Sequence, residues 1–125
     1  MTKLSGVILK ASDFTVNESG VYLNNCDGNP GMLLIHGNFC NHCHRFYPTF
    51  NEIAESIGTS FCCASIESEE LKNSDLSTAL DFQGFPTIKF FDQTGKIIGE
   101  YKKERNKESV LNEICQVYHH CIEKH

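Results

Sequence analysis

An apolar run of strand length leads directly into a pair of cysteines and then into a helix-like segment. Residues 32–37 read MLLIHG, which has the length and apolarity of a buried central strand. FCNHC follows at 39–43. Apolar residues then recur at helical spacing, which predicts a helix over 41–57 with one buried face and a kink at Pro48. We therefore expect the two cysteines at the junction between a buried strand and the first turn of a helix.

The remaining patterns predict an α/β architecture. A strand is expected from Val7 to Phe14, and residues 14–23 contain two extended pieces around a Glu-Ser-Gly turn. Further elements are expected as strands at 60–66, 87–91 and 96–101, a short helix at 73–82 with Asn73 or Ser74 as its N-cap, and a final helix from about Asn106 towards His125. This order predicts parallel pairing across the early crossovers and an antiparallel hairpin at the end. The result is a mixed central β-sheet flanked by helices on both faces, within a single domain over 1–125.

The cysteine spacing alone leaves three chemistries open. Redox dithiols, zinc sites and the attachment points of covalent haem all use C-x-x-C. Covalent haem is disfavoured because c-type cytochromes are largely helical, whereas this sequence predicts several strands. In addition, Met32, the candidate axial ligand, lies in one of those strands. A structural zinc site needs four ligands, and the sequence has no second C-x-x-C. A C-terminal group remains as a metal candidate, formed by Cys115, His119, His120, Cys121 and His125. We expect neither a metal nor a cofactor.

The start of a helix favours an anion. The unpaired backbone N–H groups and the positive end of the helix dipole stabilise negative charge there, and a thiolate is such an anion. Cys40 is nearest the predicted helix start, so we expect a lowered pKa and the role of nucleophile. Cys43 lies one turn inside and is expected to be more buried and to react second.

Four features together resemble the thioredoxin superfamily, and most of all a single catalytic domain of the protein-disulfide-isomerase type. FCNHC matches the aromatic-C-x-x-C motif, and Pro48 matches the helix-kink proline eight residues after the first cysteine. GFPTIKFF at 84–91 matches the stretch around the cis-proline, and DQTGKIIGEY matches the final hairpin. The resemblance covers roughly residues 7–118 and implies a thioredoxin fold. Because the motifs are short and divergent, they also resemble those of viral members.

The resemblance implies thiol–disulfide exchange. Cys40 and Cys43 would be the catalytic pair, acting on protein disulfides or dithiols and reset by a thiol reductant or an oxidase. Phe85 and the cis-proline Pro86 would bind substrate. His42 stands where disulfide isomerases carry histidine, and it would stabilise the Cys40 thiolate. This implies a reduction potential above that of thioredoxin, roughly −270 mV, and nearer that of the isomerases, roughly −180 mV.

The chain departs from the family pattern at several positions. The family buries an acid six residues before the first cysteine to take the proton of the second, and this chain has Leu34 there. His36 and His42 are the alternative candidates for that task. Phe39 replaces a tryptophan and keeps an aromatic surface beside Cys40. Lys103 replaces a glycine in YKKER, a stretch that lies near the active site in the family, where it would support the thiolate or select acidic partners.

A reducing compartment would leave most of the cysteines as free thiols, with any disulfide catalytic and transient. Cys62 and Cys63 are adjacent on a predicted strand, so their side chains point to opposite faces and do not bond to each other. We expect them to pack as small hydrophobic residues. Cys26 lies in the turn-rich segment 24–31, where it is expected to be exposed and available for intermolecular bonds.

The net charge and the lengths of the apolar runs indicate which partners and which location to expect. The net charge is −5, and residues 51–81 carry seven acids and one base, which argues against a phosphate-backbone binder. No stretch resembles a transmembrane segment, and the longest early apolar run, residues 7–9, is too short for a signal-peptide core. We expect a cytoplasmic monomer that binds neither nucleic acid nor membranes, with the virion as a second location. The alternative function is that of a thioredoxin-fold adaptor whose dithiol is incidental.

Overall fold

The computed structural model describes residues 4–72 and 75–118. Its strands are β1 (Val7–Leu9), β2 (Phe14–Asn17), β3 (Gly20–Leu23), β4 (Gly31–His36), β5 (Cys62–Glu67), β6 (Thr87–Phe91) and β7 (Ile97–Tyr101). Its α-helices are α1 (Asn41–Ser56), α2 (Leu76–Leu80) and α3 (Lys107–Tyr118). Short 3-10 helices cover Ala11–Asp13 and Ser68–Leu71. Within the described residues, no helix is long and apolar enough to cross a membrane.

The central sheet is mixed, as the sequence predicts. Its five strands lie in the order β1-β5-β4-β6-β7. Strands β1 and β4 both run parallel to β5, while β6 is antiparallel to β4 and β7 is antiparallel to β6. Strands β2 and β3 form a separate antiparallel hairpin around the predicted turn.

Strand β4 is buried along its whole length because the sheet is covered on both faces. Side chains alternate across a strand, and those of Met32 and Leu34 join a cluster with α1 and α3. Leu33 and Ile35 join the opposite cluster with the β2–β3 hairpin and α2. This two-sided burial explains why the strand reads as a continuous apolar run. It also fixes the C-terminal edge of β4, from which the loop to α1 departs.

Helix α1 agrees closely with its predicted bounds and runs without interruption through Pro48, whose ring lies on the exposed side. The buried face consists of Cys43, Phe46, Tyr47, Phe50 and Ile53. Helix α3 packs against α1 through Val110 and Ile114, both fully buried. These contacts hold the N-terminus of α1 at the end of β4.

The N-terminal strand prediction is wrong in part. Strand β1 ends at Leu9, because Asp13 turns the chain: its carboxylate accepts from the Lys10 backbone N–H at 2.8 Å, and its own N–H donates to the Lys10 carbonyl at 2.9 Å. The helix expected over 73–82 is shorter, and Asp75 is its N-cap residue. The predicted caps Asn73 and Ser74, and the end of the final helix beyond Tyr118, lie outside the described residues.

Candidate active site

The cysteines of FCNHC lie at the start of α1, directly beyond the edge of β4. Cys40 is the N-cap residue, and its Sγ accepts a hydrogen bond from the Cys43 backbone N–H at 3.3 Å. Both cysteines are free thiols. Cys40 is half-buried, whereas Cys43 has 0 % of its surface exposed. The geometry therefore presents one thiol to a partner molecule and keeps the other behind it.

Burial changes the acid–base behaviour of the inner thiol. Desolvation, assisted by the hydrogen bond with Cys40, raises the pKa of Cys43 to about 12. A backbone hydrogen bond from Gly37 and the positive charge of Arg105 act in the opposite sense and are weaker. Cys43 is consequently protonated at neutral pH, and a base has to remove its proton before it can act as a nucleophile.

The loop before β6 places Phe85 and Pro86 beside Cys40. The Phe85–Pro86 peptide bond is cis. The Cys40 thiol donates to the Phe85 carbonyl oxygen at 3.6 Å. The Thr87 hydroxyl donates to the Gly84 carbonyl at 2.6 Å and closes the loop on itself. A backbone carbonyl next to the outer thiol is suited to pairing with an extended chain that approaches Cys40.

Three phenylalanines form an aromatic surface beside Cys40. Phe39 is 73 % exposed, and its ring meets that of Phe85 edge to face at a centroid distance of 5.5 Å. Phe82 packs on the other side of Phe85 at 5.4 Å. The sequence predicted the first two members of this surface. Phe82 was missed because it follows the short helix α2, and nothing in its spacing indicates that it reaches the cis-proline loop.

His42 and Lys103 are also brought together. Both line one cleft between the first turns of α1 and the loop after β7. His42 is exposed, and the Lys103 ammonium pairs with the Glu113 carboxylate at 3.0 Å. Arg45 lines the same cleft and was not selected from the sequence, where it looks like any surface residue of a helix.

A buried histidine–tyrosine pair lies behind the cysteines. Leu34, at the position of the expected acid, is a fully buried core residue. His36, two residues further along β4, is 6 % exposed, and its Nδ1 lies 2.8 Å from the Tyr47 hydroxyl. Burial lowers the pKa of His36 even though Glu67 raises it. Burial, followed by the charge of Cys43, raises the pKa of Tyr47 to about 12.

Two expectations about the other cysteines are wrong. Cys26 and Cys62 are joined in a disulfide with their Cα atoms 5.8 Å apart, and Cys26 is buried rather than exposed. The turn 24–31 folds against the start of β5, where the Cys62 N–H donates to the Pro30 carbonyl at 2.8 Å. Cys62 and Cys63 do face opposite sides of the sheet, and Cys63 is a buried free thiol, as predicted.

The metal alternative finds no support within residues 4–72 and 75–118, where no three ligand-type side chains lie close enough to hold an ion. Of the C-terminal candidates, Cys115 is described, and it is disulfide-bonded, so it is neither a free thiol nor a thiolate ligand. His119, His120, Cys121 and His125 lie outside the described residues.

Comparison with known proteins identifies the class. The thioredoxin family model matches residues 15–116, so the chain belongs to the thioredoxin family. Among its relatives, it is 34 % identical to protein disulfide-isomerase of Zea mays over 77 residues and 36 % identical to that of Medicago sativa over 76. These matches cover 59 % and 58 % of this chain but only 15 % of each relative. The chain is thus a thioredoxin-family domain with a cysteine pair able to form a disulfide, and part of it is similar to protein disulfide-isomerases.

Solved structures agree on the fold. Human ERp44 form I superposes with a TM-score of 0.71 at 17 % identity, covering 93 % of this chain and 30 % of that one. The Trx4 domain of ERdj5 gives 0.67 at 13 % identity, covering 91 % and 96 %. Identities this low support the shared fold alone.

Proposed function

We propose that this chain is a thiol–disulfide oxidoreductase that reduces, oxidises or isomerises protein disulfides through Cys40 and Cys43. One observation carries the proposal: an accessible thiol at a helix N-terminus, next to a cis-proline loop, with a buried second thiol one turn behind it. The accessible sulfur is placed to attack, and the buried one to resolve the product.

The exchange proceeds in two balanced steps. The Cys40 thiolate attacks one sulfur of a substrate disulfide, so that a mixed disulfide forms and the other substrate sulfur leaves as a thiolate. Cys43 then loses its proton and attacks the Cys40 sulfur. The second substrate thiolate leaves, the substrate is reduced by two electrons, and Cys40–Cys43 becomes the disulfide. The reverse sequence oxidises a substrate dithiol, and a thiol reductant or an oxidase restores the starting state.

The second step needs a proton acceptor, and we assign that role to His36 acting through Tyr47. Tyr47 follows Cys43 by four residues, which places it on the same face of α1. With the imidazole proton on Nε2, the Tyr47 hydroxyl donates to Nδ1. The Cys43 proton passes to the hydroxyl oxygen as the hydroxyl proton passes to His36. Because burial keeps His36 neutral at physiological pH, the imidazole is ready to accept.

The remaining predicted residues shape the encounter with substrate. Phe39 and Phe85 offer an apolar surface, while the cis-proline loop offers the Phe85 carbonyl. His42 supports the Cys40 thiolate from within the motif. The cytoplasmic location, the monomeric state and the lack of nucleic-acid or membrane binding remain predictions.

Trapping tests the proposal. Cys43→Ser removes the resolving sulfur, so protein substrates should accumulate as mixed disulfides with Cys40, visible on non-reducing gels and released by reductant. Cys40→Ser is the matched control and should trap nothing. If both variants retain the same partners, and reductant does not release them, the chain is an adaptor and the proposal is wrong.

A further inference from the structure

A cleft of about 360 Å³ opens beside the cysteine pair. We call it the basic cleft, and its lining residues are His42, Arg45, Phe46, Lys103, Glu104 and Arg105. The N-terminal turns of α1 form one wall, and the loop between β7 and α3 forms the other. His42 belongs to the C-x-x-C motif itself, so the basic cleft begins at the reactive site.

Positive charge dominates this lining. Arginine and lysine side chains are charged at neutral pH, so three of the six residues are cationic and only Glu104 is anionic. The Glu104 carboxylate accepts from the Asn106 side-chain amide at 3.0 Å, and Lys103 is paired with Glu113. Among the described residues, neither Arg45 nor Arg105 takes part in an ion pair, which leaves two guanidinium groups available to an incoming anion.

The basic cleft also extends towards the substrate-binding loop. A neighbouring cavity of about 140 Å³ is lined by Pro86 together with Lys103 and Arg105. The same two cations therefore lie between the C-x-x-C motif and the cis-proline. Arg45 lies five residues after Cys40 on α1, about 7.5 Å along the helix axis, a distance that two or three residues of extended chain can span.

This local charge contrasts with the rest of the molecule. The whole chain carries a net charge of −5, so positive charge at the active-site entrance is not a general property of its surface. A local cationic cleft attracts anionic groups and orients their approach. Guanidinium groups bind carboxylates through two parallel hydrogen bonds, which adds geometric selection to attraction.

We propose that the basic cleft binds an aspartate or glutamate side chain of the substrate, located within a few residues of the cysteine that reacts with Cys40. The inference rests on the proposed function and deepens it by defining a substrate class: protein disulfides with acidic flanking residues. Exposed ion pairs are individually weak, so the expected preference is about three- to tenfold in rate rather than absolute.

Three synthetic peptides test this directly. They share one disulfide and one sequence, and differ only at two flanking positions, which are glutamate, glutamine or lysine. The reduced protein should react with the glutamate peptide about three- to tenfold faster than with the glutamine peptide, and most slowly with the lysine peptide. At 0.5 M salt the differences should shrink, since ions screen exposed charges.

Arg45→Gln and Arg105→Gln should each lower the glutamate-to-glutamine rate ratio at low salt. Lys72→Gln removes the same charge from an exposed pair with Glu69, away from the basic cleft, and should leave the ratio unchanged. Equal rates with all three peptides would overturn the inference while the proposed function stands. A glutamate preference that both arginine variants retain would also overturn it. If no peptide reacts, the proposed function fails, and the inference fails with it.

Discussion

At the scale of single residues, the proton of Cys43 is the main chemical difficulty. Burial raises the pKa of Cys43 to about 12, so the thiol carries its proton at pH 7. A carboxylate at position 34 would meet this need, but Leu34 is buried among apolar neighbours. The His36–Tyr47 pair is a buried alternative with its own hydrogen bond, set one helical turn from the thiol.

Tyr47→Phe tests this assignment. The variant keeps the aromatic packing and removes the hydroxyl to which we assign the transfer of the Cys43 proton to His36, so the mixed disulfide should decay about 10- to 100-fold more slowly at pH 7. The decay can be followed by quenching with acid and separating the species. Tyr22→Phe removes a hydroxyl from the β2–β3 hairpin and is the matched control. A decay rate equal to that of the wild type would contradict the assignment.

The pH profile separates proton transfer from simple loss of packing. His36 is faced by Glu67 from β5 and by His44 and Tyr47 from α1, and its pKa is lowered overall. The wild-type decay rate should therefore rise with pH only below about 6.5 and then level off, because neutral His36 is the acceptor. His36→Gln and Tyr47→Phe should both lose this plateau and accelerate steadily towards alkaline pH.

Residue types and spacing predicted part of this arrangement. The family pattern places a buried acid six residues before the first cysteine, and the sequence shows Leu34 at that position. The sequence also shows His36 nearby, which made it a candidate to replace the acid. Tyr47 could not be chosen, because its helical spacing equally suits a core residue. Its role depends on a hydroxyl that reaches across to the end of β4, which is a property of the packing between a helix and a strand.

At the scale of elements, the Cys26–Cys62 disulfide ties the loop after β3 to the first residue of β5. The two cysteines are separated by 36 residues along the chain. Closing a loop of this length removes conformational freedom from the unfolded chain, which corresponds to about 4 kcal/mol as an upper bound. Cys62 lies opposite Gly31, the first residue of β4. The bond therefore stabilises the end of the sheet opposite the active site, which lies beyond the last residue of β4.

Cys26→Ala should lower the free energy of unfolding by about 2–4 kcal/mol, as measured by urea denaturation without reductant. Adding reductant should lower the stability of the wild type by at least this amount, and it should lower that of the variant by less, because Cys115 is also disulfide-bonded. Cys63→Ala, which removes a free thiol, is the control and should keep its sensitivity to reductant. A wild type whose unfolding is insensitive to complete reduction would show that the bond contributes nothing.

The elements themselves were largely predictable, whereas this bond was not. Strands β4 and β6 and helix α1 follow from apolar runs and periodicity, and the observed bounds agree within a residue or two. Because Cys62 and Cys63 are adjacent on one strand, the sequence correctly predicted that their side chains face opposite sides of the sheet. Pairing Cys62 with Cys26 requires knowing where a turn-rich segment folds, and that depends on contacts with β5 that lie far away in sequence.

At the scale of the whole molecule, the two cysteine pairs lie in different surroundings. Intramolecular disulfides persist mainly in oxidising surroundings, where a buried bond is also protected from reductants. Within one fold, the Cys26–Cys62 bond lies in an apolar cluster while Cys40 lies at an accessible edge. We therefore assign the Cys26–Cys62 pair to stabilising the fold and, in the proposed function, the Cys40–Cys43 pair to thiol–disulfide exchange.

A redox titration with peptide mapping tests that central claim most directly. The protein is equilibrated in glutathione buffers of stated potential, free thiols are alkylated, and the peptides are weighed. We predict one reversible two-electron transition at the peptide containing Cys40 and Cys43. Its midpoint should lie above roughly −270 mV and nearer to roughly −180 mV, with the Cys26–Cys62 bond intact across that range. If Cys40 and Cys43 show no reversible transition, the chain is not a thiol–disulfide oxidoreductase.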